Sequence, residues 1–255
     1  MYQKIYDFCK VRNIGNIYKN EDFPTPRVQF ILDLLDSEGI KYELDKFKIE
    51  SGWYNKNGVG YNIILRGTSN RVVVAHHDVS NPHIDNANDN SCSVINAIML
   101  KKLVPEINVV LLDGEECGGL GSQRLSEQIN KGDFGDIEWV LNLELTGRGG
   151  KYFFIGDYPG NLTNHIKLIF DCPIVRTPYN DSVTFIKNGI DSVVINPLPP
   201  LDNGNTSQVK WDENTYLDYS MLFNCHTEKD TIGSISVDDM KEFVEEIVLK
   251  IVHGI

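Results

Sequence analysis

Five segments put metal-binding and proton-moving residue types at the ends of apolar runs. VVVAHHD (72–78) carries His76 and Asp78 as an H-x-D pair. An imidazole can bind zinc through one ring nitrogen while the other N–H donates to a carboxylate that orients it. Strand alternation sends His77 to the side opposite His76, which makes it a non-ligand. In NANDNSCS (86–93), Asp89 opens a helical segment. Such an Asp is either an N-cap or, with one oxygen for each, a bridge between two cations. LLDGEECGGLGS (111–122) ends a buried-type run in Glu115 and Glu116. Acids are costly there without compensation, and two neighbours can divide the work, one binding metal and one moving protons. VLNLELTG (140–147) is interrupted by Glu144. Unpaired, that carboxyl is driven neutral by burial; beside a cation it stays ionised. FNCHTEKDT (223–231) leaves His226 in a polar loop with a ring nitrogen free to coordinate, although a lone loop histidine is as readily mere surface.

The elements that must position these residues alternate between strand and helix. Helical periodicity covers 1–12, 26–38, 90–103, 119–129, 161–170, 182–188 and 237–252. Strand patterns cover 42–50, 61–67, 71–77, 107–116, 137–147, 151–155 and 190–197. This order predicts an α/β fold, a three-layer sandwich with a mixed, mostly parallel sheet covered by helices on both faces. In such sheets sites form at the carboxyl ends of strands. Three apolar strands here end in His76–Asp78, Glu115–Glu116 and Glu144. No linker, repeat or low-complexity tract divides the chain, so residues 1–255 are expected to form one catalytic domain.

The chain has 255 residues, with 24 basic against 36 acidic and a net charge of −12. That field repels nucleic acid and anionic membranes, so neither is an expected partner. No stretch approaches the ~20 apolar residues of a membrane span, and MYQKIYDFCKVRN has no apolar signal-like region. The five cysteines (9, 92, 117, 172 and 225) follow no disulfide framework. A cytoplasmic location is therefore expected, and the sequons at Asn161, Asn180 and Asn205 carry no weight.

Taken in order, the five segments resemble metallopeptidase family 28, the co-catalytic di-zinc aminopeptidases and glutamate carboxypeptidase-like enzymes. Its H-x-D, D-N, E-E, N-x-D and H-T elements stand here as His76–His77–Asp78, Asp89–Asn90, Glu115–Glu116, Asn142–Leu143–Glu144 and His226–Thr227. GLGSQ and NDSVTFIKNGIDSVVI (180–195) resemble two further family segments, and the likeness covers about residues 61–255. The resemblance implies two zinc ions, one on His76, Asp89 and Glu144, the other on Asp89, Glu116 and His226. It also implies Glu115 as general base toward a metal-activated water, Asp78 as the partner of His76, and a peptide or small amide as substrate. An aminopeptidase is the leading expectation. A carboxypeptidase or deacylase and a single-zinc glutaminyl cyclase-like enzyme are the alternatives, with a non-catalytic binding module a third.

Two departures bear on this. Glu144 stands where aminopeptidases of the family usually have Asp, and related carboxypeptidases and deacylases commonly have Glu. Cys225 stands where several members place a Tyr that donates to the developing oxyanion, a loss worth ~10²–10³ in rate. Tyr179, Tyr216 and Tyr219 are replacements by type only. Ser93 replaces a common Gly. Cys92, Cys117 and Cys225 each fall within three residues of an implied ligand, either as small packing residues or as thiolates within reach of metal. The long polar stretch 197–220 is expected to wall the substrate pocket. Arg148 and Arg176 are either carboxylate-binding or solvated surface.

Overall fold

β-branched and leucine-rich runs make the middle of the sheet, where both faces are covered and even the few polar positions are buried. In the computed structural model, which describes residues 1–12, 23–49, 58–197 and 225–254, these are β3 (Arg71–His76), β4 (Asn108–Leu112), β5 (Trp139–Leu143) and β8 (Ser192–Pro197). β1 (Glu43–Ile49) and β2 (Gly58–Leu65) extend one edge, and β6 (Phe153–Gly156) and β7 (Ile174–Val175) the other. The order is β1-β2-β4-β3-β5-β8-β6-β7. β4, β3, β5 and β8 run parallel; β1–β2, β2–β4 and β6–β8 are antiparallel. The sheet is mixed with a parallel centre, as the alternating pattern predicts.

Alternation along each strand feeds two apolar layers. Val73, Ala75, Leu111, Leu141 and Leu143 pack beneath Ile31 and Leu35 of α2 (Pro26–Ser37), Val94 and Ile98 of α3 (Cys92–Leu103), and Phe243 of the C-terminal helix. Val72, Val74, Val110, Leu112 and Val140 face Leu125 and Ile129 of α4 (Leu120–Asn130) and Phe185 of α6 (Asp181–Lys187). Each fully buried aliphatic side chain contributes ~1.5–3 kcal/mol. Two further α-helices among the described residues are the short α1 (Ile5–Phe8) and α5 (Asn161–Ile169).

Some boundaries differ from the sequence reading. The apolar run at 107–116 is a strand only to Leu112, after which the chain turns, so both glutamates lie on a loop. The segment 1–12 is helical only from Tyr2 to Phe8, and the C-terminal helix passes through a wider turn at Val244–Val248. β7 carries no sequence signal, being two residues long. Among the described residues no helix is long and apolar enough to cross a membrane.

Candidate metal centre

The parallel register brings the strand ends together. His76 pairs with Leu112 across β3–β4, and Val74 with Asn142 across β3–β5. His76, the Glu115–Glu116 turn and Glu144 thus emerge side by side. The turn after β4 is tight. A Cβ on Gly121 would collide with the Asp113 carbonyl oxygen and the Asn62 side chain, so only glycine lets α4 begin there.

His76 presents its two ring nitrogens to different partners. Nδ1 lies 3.2 Å from the Asp78 carbonyl oxygen and 3.3 Å from Asp78 Oδ1. Nε2 lies 3.2 Å from Asp89 Oδ1 and 3.5 Å from Glu144 Oε2. Asp78 also accepts the amides of Glu115 (3.2 Å) and Glu116 (3.1 Å), tying the β3 end to the β4 turn. Asp89 Oδ2 faces His226 Nε2 at 2.9 Å, and that nitrogen lies 3.2 Å from Glu116 Oε1. The Asp89 carboxylate therefore stands between two imidazoles, one oxygen toward each. Asp89 is not a helix cap: α3 starts at Cys92 behind Ser91.

Supporting groups fix these side chains. Asp230 accepts the backbone amides of Asn88 (2.7 Å) and Asp89 (3.1 Å). Asn90 donates to Glu144 Oε2 (2.9 Å) and the Leu143 carbonyl (3.0 Å), and its own oxygen accepts the Leu145 amide. Asn86, Leu145 and His226 have φ of 46°, 54° and 59°, and each adjoins or belongs to the cluster. Left-handed non-glycine backbone costs ~1–3 kcal/mol and tends to gather at functional sites.

The electrostatics are those of donors waiting for positive charge. Burial, reinforced by the charge of Asp89, pushes Glu116 up to about 7 against the pull of His226. Burial, with Glu116, Asp181 and Glu144 adding to it and His76 opposing, holds Glu115 well above the usual carboxylate range. Burial also raises Glu144 against the pull of His76. At Asp89 burial is outweighed by hydrogen bonds from His226 and His76, and its carboxyl is lowered. His226 is raised to about 11 by Asp89 and Glu116. Acids that must bind protons when buried together fit a cation, which keeps them ionised. Among the described residues, three groups have ligand atoms within 4.8 Å of one another: His76, Asp89 and Glu144; His76, Glu115 and Glu116; and Asp89, Cys225 and His226. His/carboxylate sets of this kind suit zinc.

Every residue singled out as ligand, base or orienter in the sequence lies in this cluster. His77 does not; it is buried with Nε2 2.8 Å from the Tyr61 carbonyl, and burial lowers it to about 4. The Tyr179 hydroxyl donates to the Gly118 carbonyl (2.9 Å) and sits 2.6 Å from Thr184 Oγ1, so it is already engaged. Tyr216, Tyr219 and the stretch 198–220 lie outside the described residues. Arg148 and Arg176 are exposed. Ser93 uses its hydroxyl against Thr146 Oγ1 at 3.0 Å. Cys92 belongs to the main apolar core and Cys117 packs with Phe47 and Leu120.

Sequence reasoning missed Asp230, Asp181 and Arg27. Asp230 had a signal, an acid four residues after His226 in the same polar loop. Asp181 is fully buried, with both oxygens lacking hydrogen-bond partners of good geometry, and burial raises it to about 7. Arg27 breaks the inward stripe that continues through Ile31 and Leu35 of α2.

The family model for peptidase family M28 matches residues 62–251. No curated protein matches the chain. Among solved structures, the fold is similar to Porphyromonas gingivalis glutaminyl cyclase (18% identity, 100% of this chain and 99% of that one, TM-score 0.69). It is also similar to the Legionella pneumophila LapA aminopeptidase (13% identity, 100% and 69%, TM-score 0.67). A third is BSAP, a zinc aminopeptidase from Bacillus subtilis (20% identity, 77% and 50%, TM-score 0.60).

Proposed function

The chain belongs to peptidase family M28, and we propose that it is a zinc-dependent exopeptidase, an aminopeptidase acting on the N-terminal bond of a peptide. One ion would be held by His76, Asp89 and Glu144, the second by Asp89, Glu116 and His226, all within a single catalytic domain. The observation that carries this reading is the Asp89 carboxylate, with Oδ1 3.2 Å from His76 Nε2 and Oδ2 2.9 Å from His226 Nε2. A buried carboxylate serving two imidazoles, His76 in the interior and His226 half-exposed at its mouth, has the form of a bridge.

Bound zinc supplies Lewis-acid polarisation of the scissile carbonyl and lowers the pKa of a water from ~15.7 toward ~7. The protein's own groups do the rest. Asp78 fixes the orientation of His76 through Nδ1 and leaves Nε2 facing the pocket. Glu115 takes the proton of the attacking water and returns it to the leaving amine. Burial and its acidic neighbours raise its pKa, against the pull of His76, and so make the carboxylate a stronger proton acceptor.

The test is metal analysis of the zinc-reconstituted protein together with aminoacyl, N-acyl and C-terminal substrates, in parallel with Glu115→Gln. We expect two zinc per chain, turnover of the aminoacyl class, and a variant that keeps its metal but is slower by ~10²–10⁴. A wild type that cleaves nothing, or a variant that matches it, overturns the assignment. A second reading, cyclisation of N-terminal glutamine, is favoured by size: the glutaminyl cyclase match spans nearly all of both chains, while BSAP is matched over half its length. One zinc per chain, with turnover of glutaminyl peptides and no hydrolysis, selects it.

A further inference from the structure

Cys225 stands immediately before His226 and turns its sulfur into the acidic cluster. Sγ lies 2.6 Å from Asp89 Oδ2, the oxygen that also lies 2.9 Å from His226 Nε2. Ligand atoms of Asp89, Cys225 and His226 are all within 4.8 Å of one another. Zinc takes sulfur at ~2.3 Å and nitrogen or oxygen at ~2.0–2.2 Å, so atoms so spaced can converge on one cation. An independent observation marks the same spot. Glu116, with a side chain 7% exposed, aims Oε1 there, and this oxygen accepts no hydrogen bond although His226 Nε2 lies 3.2 Å away.

We propose that Cys225 is itself a metal ligand, its thiolate completing a four-donor site with Asp89, Glu116 and His226 for a thiophilic divalent cation such as zinc. The inference rests on the reading of those three residues as one metal position, and adds the fourth donor. As the sulfur–metal bond forms the S–H bond breaks, and the proton leaves to water. Two consequences follow from the chemistry of the donor set. Thiolate sulfur favours zinc and cadmium over manganese and magnesium. Four protein donors also close a tetrahedral shell, whereas His76, Asp89 and Glu144 supply three and leave a place for water or substrate. The two positions then divide their work, the Cys225 site holding its ion and the His76 site keeping the open face toward Glu115.

Cobalt substitution tests this. Wild type and Cys225→Ser are stripped with chelator and loaded with Co²⁺, and bound cobalt, visible d–d bands and the near-ultraviolet thiolate-to-cobalt band are recorded. We expect the thiolate band in the wild type and its absence in the variant, with cobalt bound by both. Zinc affinity at one position should fall in the variant by ~10-fold or more, the least that even loss of an outer-shell partner costs. Cobalt-loaded wild type without the band, or a band that persists in Cys225→Ser, overturns the ligand and leaves the metal site standing. A wild type that binds no cobalt overturns both. Independently of any variant, alkylation of wild-type Cys225 by iodoacetamide, mapped by mass spectrometry, should be suppressed by zinc; equal labelling with and without zinc counts against the proposal.

Discussion

Arg27 Nη2 donates to Ser91 Oγ at 2.7 Å, joining α2 to the loop that carries Asp89 across 64 positions of sequence. The same guanidinium donates through Nε to the His77 carbonyl oxygen and stacks on Phe8, 4.0 Å from the ring centroid. Burial lowers its pKa to about 10, which leaves it charged at neutral pH. A buried cation from the N-terminal segment thus braces both the His76–Asp78 strand end and the Asp89 loop, from outside the stretch 62–251 matched by the family model.

Arg27→Met should therefore unfold at lower urea, with stability reduced by ~2–4 kcal/mol, since two acceptors lose charge-assisted donors in a buried setting. Arg27→Lys should recover part of this by restoring one donor. Urea midpoints for the three proteins provide the measurement, and a Met variant equal to wild type would show that the brace contributes nothing.

Asp230→Asn should weaken metal binding without melting the fold. Its two oxygens accept the Asn88 and Asp89 amides, and an Asn side chain must turn an NH₂ toward one of them. Outer-shell losses of this kind typically cost ~10–100-fold in metal affinity. Zinc titration against a competing chelator, with circular dichroism as control, decides; unchanged affinity rules the role out.

Glu116→Gln should separate stability from function. In the metal-free protein the substitution removes a buried acid that faces the charge of Asp89, so its melting temperature should equal or exceed that of the wild type. Added zinc should raise the wild-type melting temperature more than that of the variant, because only binding to the folded state stabilises. A metal-free variant that melts well below wild type contradicts this account.

Cys9 should make stability fall at alkaline pH. It is fully buried, and burial, against the pull of Arg27, raises its thiol from 9.0 to about 12. The folded state keeps the proton that the unfolded chain releases above pH 9, so the contribution is complete below that value and is lost as pH rises toward 12. At ~1.4 kcal/mol per unit, about 2 kcal/mol should be gone by about pH 10.5. Urea midpoints of wild type and Cys9→Ala at pH 8 and pH 10.5 measure it: the variant should lose less, and parallel losses exclude the cysteine as the cause.

Much of the site was legible because a strand buried on both faces tolerates no casual charge. His76, the Glu115–Glu116 pair and Glu144 each follow such a run, which made them candidates for metal or proton chemistry, and it was their order along the chain, not any one type, that carried the resemblance. Cys225 stood out in the sequence as a replacement for a Tyr and, with Cys92 and Cys117, as either a packing residue or a thiolate near the metal; that its sulfur alone of the three turns to the Asp89 carboxylate is a fact of three dimensions. Arg27 and Asp230 were harder still, since an arginine in an amphipathic helix and an aspartate in a loop are ordinary until a partner far along the chain is known.

The sequence by itself determined the strand–helix alternation and the residue types at the strand ends, because burial periodicity and desolvation cost act residue by residue. Only the tertiary structure decided that β4 lies between β2 and β3, and that one carboxylate, Asp89, stands between His76 and His226. Those relations depend on strand register and on contacts across tens to more than a hundred positions, and no local propensity encodes them.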